Sequence, residues 1–275
     1  MPDSLQLRLH GSPPLPTLIY LPGLHGNWCL VGGFRRALAG RVRFVEISYP
    51  DTLSWSLDDH AAAVEAILAE NGIRGGWLLA ESFGSQIAWT LLARGKILIE
   101  GLILAGGFVQ HPWRPGARLA QRIFNDSLFP FIRRAFSGYA RVSRLRFRRS
   151  PQTINEIQEF VAGLTPQVLR AFKHRLQLVA ESDLRLVAQR AQIPFFALSG
   201  LFDPIVPWLW VRGWMNRNCP TLKEYTIVWS ADHNVLGTAP IAAAEQVLRW
   251  MGERSKTQDP RSREDPSTKS QDPSR

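Results

Sequence analysis

Ser82 lies in Leu78-Leu79-Ala80-Glu81-Ser82-Phe83-Gly84, where an apolar run ends in serine and a helical pattern follows at once. A strand–turn–helix of this kind lifts a hydroxyl out of a sheet and makes it a candidate nucleophile. The turn crowds the backbone, so the positions two before and two after the serine have to be small; here they are Ala80 and Gly84. The start of the following helix also favours negative charge developing beside the hydroxyl. A hydroxyl is a weak nucleophile at neutral pH and needs a base within reach, and that base needs an acid to fix its tautomer. His233, in Ala231-Asp232-His233-Asn234, is the candidate base. Asp203, in Gly200-Leu201-Phe202-Asp203-Pro204, is the preferred orienting acid. Asp232 is nearer in sequence, but neighbours on an extended loop point their side chains apart.

Attack on a carbonyl creates an oxyanion that needs preorganised donors. The run Tyr20-Leu21-Pro22-Gly23-Leu24-His25-Gly26-Asn27 holds two glycines, which let a loop turn sharply and bring its amides close to a reacting atom. The candidate oxyanion donors are the backbone amides of Leu24 and Phe83. His25 is expected to line the pocket, as are Trp113, Phe131 and Trp208. Cys29 and Cys219 have no metal-ligand spacing and read as reduced, partly buried thiols, so no metal is expected.

These motifs need a scaffold that gathers them. Apolar β-type runs occur at Thr17–Leu21, Val42–Ile47, Gly76–Ala80, Leu102–Ala105, Phe195–Leu198 and Leu222–Val228. Helical spacing marks Leu57–Leu68, with Asp58 and Asp59 in its first turn, and also Phe83–Ala93 and Pro240–Met251. Alternating strands and helices imply a mostly parallel α/β sheet covered on both faces. All four motifs then fall at carboxyl ends of strands, the edge where such sheets bind ligands. A long Arg-rich helical interval separates the fourth and fifth runs and leaves from that same edge.

On these residues the chain resembles the α/β-hydrolases, over about residues 15 to 252. LPGLHGN (21–27) matches the oxyanion loop, AESFG (80–84) the nucleophile elbow, GLFDPIVP (200–207) the acid loop and ADH (231–233) the histidine loop. The order Ser, Asp, His is the family's order. Ala80 stands where the elbow commonly has Gly, and Pro22-Gly23 where many relatives have His-Gly. The resemblance implies a mostly parallel sheet of about eight strands, helices on both faces and a helical cap between strands six and seven. It also implies acyl-enzyme chemistry on small-molecule carboxylic esters without a cofactor. A serine at the elbow argues against dehalogenase and epoxide hydrolase activity, which use Asp there. Thioesterase, lactonase, acyltransferase and carbon–carbon hydrolase activities share the same three residues and stay open. So does a non-catalytic ligand-binding role on the same scaffold.

The expected organisation is a core of residues 1–109 and 193–252, a cap of 110–192 and a disordered tail of 253–275. The tail holds no large apolar residue. The whole chain carries a formal net charge of +10. From Gln110 to Ile193 there are 15 Arg plus Lys against 5 acids, so this interval accounts for the whole excess. A solvated amphipathic face is the plain reading of such a block. Attraction to anionic substrates, or weak contact with an anionic membrane surface through the cap, are the alternatives. No nucleic-acid recognition motif accompanies the charge. The N-terminal sequence lacks a secretory pattern and no apolar run reaches bilayer length, so a cytoplasmic location is expected.

Overall fold

The structure is a computed structural model that describes residues 4–147 and 150–258. The chain opens with strands β1 (Gln6–His10) and β2 (Thr17–Leu21), helix α1 (Gly32–Leu38) and strand β3 (Arg43–Ser48). Helix α2 (Leu57–Glu70), strand β4 (Gly75–Glu81), helix α3 (Gly84–Arg94) and strand β5 (Leu98–Ala105) follow. Five helices come next: α4 (Arg114–Ile123), α5 (Phe129–Arg146), α6 (Pro151–Ala162), α7 (Pro166–Glu181) and α8 (Arg185–Arg190). Strand β6 (Phe195–Gly200), helix α9 (Trp208–Asn218), strand β7 (Leu222–Val228), the short α10 (Val235–Thr238) and α11 (Pro240–Gln258) close the chain.

The described strands form one sheet of seven in the order β1-β3-β2-β4-β5-β6-β7, against the eight or so implied by the resemblance. Every neighbouring pair is parallel except β1 with β3. Period-two alternation sorts the strand residues onto two cores. Ile19, Leu21, Leu78, Ala80, Leu102 and Leu104 face one side, where Val64 and Leu68 of α2 and Ile87 and Trp89 of α3 cover them. Leu18, Tyr20, Leu79, Ile103 and Ala105 face the other, under Phe34 of α1 and Val247 and Trp250 of α11. With both faces covered, the central strands are near-continuous apolar runs. At the edge, β1 (QLRLH) leaves Leu9 44% exposed; it is not a continuous apolar run, and its strict polar–apolar alternation is the signal of a half-buried strand.

Helix starts follow local chemistry. Ser56 and Asp59 form a reciprocal capping box on α2, and Thr165 caps α7 ahead of Pro166. The closing helix runs past the expected boundary at 252, to Gln258; Glu253, Arg254, Lys256 and Gln258 are good helix formers. The rest of the tail expected to be disordered, 259–275, lies outside the described residues. No described helix is long and apolar enough to cross a membrane.

Candidate active site

Ser82 follows β4 directly and has φ of 48°, the only described non-glycine residue with a positive φ. That left-handed conformation turns the chain from strand into α3 and aims the side chain away from the sheet. Its amide donates to Ala105 O at 3.0 Å, which ties the turn to β5. A Cβ on Gly84 would lie 2.2 Å from Leu21 O, so that position must be glycine. Ala80 is fully buried in the α2–α3 core, and its methyl is accommodated there.

Asp203 follows β6 and His233 follows β7. His233 Nδ1 lies 2.8 Å from Asp203 Oδ2, and His233 Nε2 lies 2.8 Å from Ser82 Oγ. With Nδ1–H donating to the carboxylate, Nε2 is left to accept from the serine hydroxyl. The second oxygen of Asp203 accepts the amides of Ile205 at 2.8 Å and Val206 at 2.9 Å. Its side chain is 0% exposed, so three donors hold a buried carboxylate in one orientation. Burial disfavours the imidazolium of His233. The hydrogen bond and charge of Asp203, joined by Glu81 and Asp232, outweigh it, and His233 titrates above its ordinary 6.5. Asp232 faces elsewhere: its oxygens accept from Asn234 N at 3.1 Å, Thr238 Oγ1 at 3.2 Å and Tyr139 Oη at 3.2 Å.

Residues 23–26 form a tight turn after β2, closed by Gly26 N donating to Gly23 O at 2.9 Å. Phe83 follows Ser82 directly, and a Cβ on Gly23, the neighbour of Leu24, would lie 3.4 Å from Ser82 Cβ; among the described residues neither the Leu24 nor the Phe83 N–H donates to a protein acceptor. His25, next in the turn, is buried and lines the cavity. Burial holds its pKa below 6.5.

A cavity of about 470 Å³ opens over Ser82 and His233. Leu24 and Leu30 line it from the core, and Phe136, Ile157, Phe160 and Phe172 line it from α5, α6 and α7. Three expected pocket residues lie outside it. Trp113 caps α4, folds its ring over Gly116 and is 56% exposed. Phe131 sits on the outer face of α5 and is 70% exposed, because the helical phase turns Ala135, Phe136 and Tyr139 inward instead. Trp208 starts α9 and donates its Nε1–H to Leu201 O at 3.3 Å, bracing the acid loop from outside the cavity.

Two site features were not anticipated from sequence. Glu81, adjacent to the serine, is buried; Tyr20 Oη donates to its Oε2, and His25 Nε2 lies 3.9 Å from the same oxygen. An acid inside an otherwise apolar strand was the available signal. Arg175 of α7 is 1% exposed and donates to Leu24 O at 3.0 Å. Its signal was an arginine between Phe172 and Val179 on the inward stripe of a helix.

A family model described as the alpha/beta hydrolase family matches residues 9–260. The chain is 25% identical, over 200 residues, to a pimeloyl-(acyl-carrier protein) methyl ester esterase of Aeromonas hydrophila subsp. hydrophila, covering 70% of this chain and 79% of that protein. In fold it is similar to a thermophilic esterase from Thermogutta terrifontis, with a TM-score of 0.72, 18% identity and coverage of 90% of this chain and 93% of that one. It is likewise similar to the enol-lactonase from Burkholderia xenovorans LB400, with a TM-score of 0.71, 16% identity and coverage of 90% and 96%. A family match across nearly all of the sheet and its loops makes this chain a member of the alpha/beta hydrolase family, an enzyme of the hydrolase class with esterase relatives.

Proposed function

We propose that the chain is a serine hydrolase that cleaves carboxylic esters through an acyl-enzyme. The observation that carries this reading is the continuous relay from Ser82 Oγ through His233 to Asp203, with both contacts at 2.8 Å. His233 Nε2 takes the hydroxyl proton as Ser82 Oγ attacks the ester carbonyl. The amides of Leu24 and Phe83 donate to the oxyanion. Collapse of the tetrahedral species breaks the bond to the alcohol oxygen, which leaves with the proton from His233. Water then enters, gives its proton to His233 and attacks the acyl carbonyl. The second collapse returns the proton to Ser82 and releases the acid.

Residues 110–192 act in this reading as a cap whose inward aromatic side chains hold the acyl group. A cavity of about 470 Å³ falls within the common range for small-ligand sites. The basic excess of the cap favours a second, narrower reading, in which the acyl group arrives on an anionic carrier. The curated relative, a methyl ester esterase acting on a carrier-bound acyl group by its name, is in line with that reading.

A panel of p-nitrophenyl esters of increasing acyl length, with Ser82→Ala as control, tests the proposal. Hydrolysis by the wild type and its loss in the variant are expected, together with covalent labelling of Ser82 by an organophosphate. Absence of both hydrolysis and labelling in folded protein would overturn it in favour of a ligand-binding role.

A further inference from the structure

We infer that Arg175, on the helical segment above the sheet, is a positioning residue that sets the oxyanion loop; this role rests on the reading of Ser82 as nucleophile. The guanidinium is almost wholly buried. Its Nη1 donates to Leu24 O at 3.0 Å, and its Nη2 donates to Pro50 O at 2.7 Å and lies 3.6 Å from Asp51 Oδ1. One side chain from α7 thus joins the loop after β2 to the loop after β3.

The identity of the acceptor gives the contact its meaning. In the turn 23–26, the outer peptide is fixed because Gly23 O accepts from Gly26 N. Gly26 O in turn accepts from Tyr49 N at 2.7 Å. The peptide between Leu24 and His25 is the central one of the turn, and neither of these bonds involves its atoms. Its carbonyl is the one Arg175 holds. The candidate oxyanion donor, Leu24 N–H, belongs to the same residue, so anchoring that carbonyl to Arg175 keeps residue 24, and its donor, from drifting relative to Ser82. Gly26 completes the fit: it has φ of +77°, and a Cβ there would sit 2.4 Å from Arg175 Nη1. The loop makes room for the guanidinium where any other residue would displace it.

Phe172 lies one turn earlier on α7 and lines the acyl cavity. The wall that touches the acyl group and the clamp on the oxyanion loop are therefore parts of one helix. Arg175 does not touch substrate. It acts through Leu24, so its removal should weaken the transition state selectively and leave ground-state binding in place.

The test compares wild type with Arg175→Met, Arg175→Lys and Gly26→Ala. Gln167→Ala serves as control; it removes another bond from α7 to the core, Gln167 Nε2 to Asp51 O at 2.7 Å, without touching residue 24. Three readouts are taken: kcat and KM on a p-nitrophenyl ester, affinity for an alkyl boronic acid, and affinity for the matching alkyl ether. The boronate forms a tetrahedral adduct on Ser82 with an oxygen in the oxyanion position, whereas the ether occupies only the acyl cavity. Arg175→Met is expected to lose about 10- to 100-fold in both kcat and boronate affinity, with ether affinity and KM changing less than about twofold. Arg175→Lys, with an ammonium in place of the two-carbonyl fork, should fall between. Gly26→Ala should reproduce the loss with the arginine intact, and Gln167→Ala should match wild type. Equal weakening of boronate and ether, or an active enzyme unimpaired by Arg175→Lys and by whichever of the other two variants folds, would overturn the role of Arg175. A wild type that neither hydrolyses esters nor binds the boronate would instead overturn the reading of Ser82.

Discussion

At the carboxyl edge of the sheet, Ser82 and Asp203 follow the buried parallel strands β4 and β6, His233 follows the half-buried edge strand β7, and backbone bonds fix the turns that carry them. Across the cavity, helices α5 to α7 contribute through helical phase and side-chain packing, and α5 leaves Phe131 and Val142 at 70% and 63% exposure. The edge is specified by strand ends, which leave little freedom in where a loop residue points. The helical segment is specified by rotation about each axis, and a shift of one residue exchanges an inward aromatic for an outward one. The first kind of region suits chemistry and the second suits recognition.

If that division is right, lesions at the edge abolish turnover on every ester, while lesions in the helices change which ester is preferred. Ser82→Ala should lower kcat by about 10⁶-fold whatever the acyl group; a loss confined to long-chain esters would break the comparison. Asp203→Asn should lower kcat by about 10⁴-fold. It should also move the acid limb of the pH–rate profile. In the wild type that limb is expected above the ordinary histidine value, because the hydrogen bond and charge of Asp203 outweigh burial and raise the pKa of His233. With the carboxylate gone, burial is left as the main influence, and the limb should move to lower pH. The same raised pKa makes a stability statement: the His233–Asp203 pairing stabilises the fold fully below about pH 6.5, and that contribution is lost as pH rises through the folded value. A thermal-melt series against pH for wild type and Asp203→Asn would read it.

Smaller effects are expected in the helices. Phe160→Ala should reduce kcat/KM for long acyl chains by about 10- to 100-fold and leave acetate esters nearly unchanged. A uniform loss would place Phe160 with the edge residues instead. The smallest effect concerns charge. The basic excess between 110 and 193 should make KM for an anionic acyl carrier rise several-fold from low salt to 0.5 M, with little change for a neutral ester. Pelleting with anionic vesicles across the same salt range would separate carrier recognition from surface binding.

The contrast also explains what the sequence made legible. Ser82, Asp203 and His233 could be located because each motif joins an apolar run to a turn, and strand direction then dictates the edge. Glycine spacing marked the turn at 23–26 in the same way. Trp113, Phe131 and Trp208 were misplaced because proximity to the edge in sequence does not set helical phase. The cavity wall is built instead from Phe136, Phe160, Phe172 and Phe202. β1 escaped notice because, as an edge strand, it alternates polar with apolar residues instead of forming a continuous apolar run like the central strands. Arg175 escaped because fourteen arginines and lysines besides it crowd the same interval, and its place between Phe172 and Val179 on the inward stripe of α7 was the mark that set the buried one apart.

The backbone of Ser82 bears on how the protein tolerates change. A φ of 48° is one that L-residues adopt at a cost of about 1–3 kcal/mol, met here by the packing of β4 and α3 around the turn. Glycine accepts that conformation without strain. Ser82→Gly should therefore produce an inert protein that melts higher than its parent, whereas Ser82→Ala, which keeps a Cβ, should be equally inert with little gain. On the proposed role of Ser82 as nucleophile, thermal robustness gained at this one position would be expected to cost turnover.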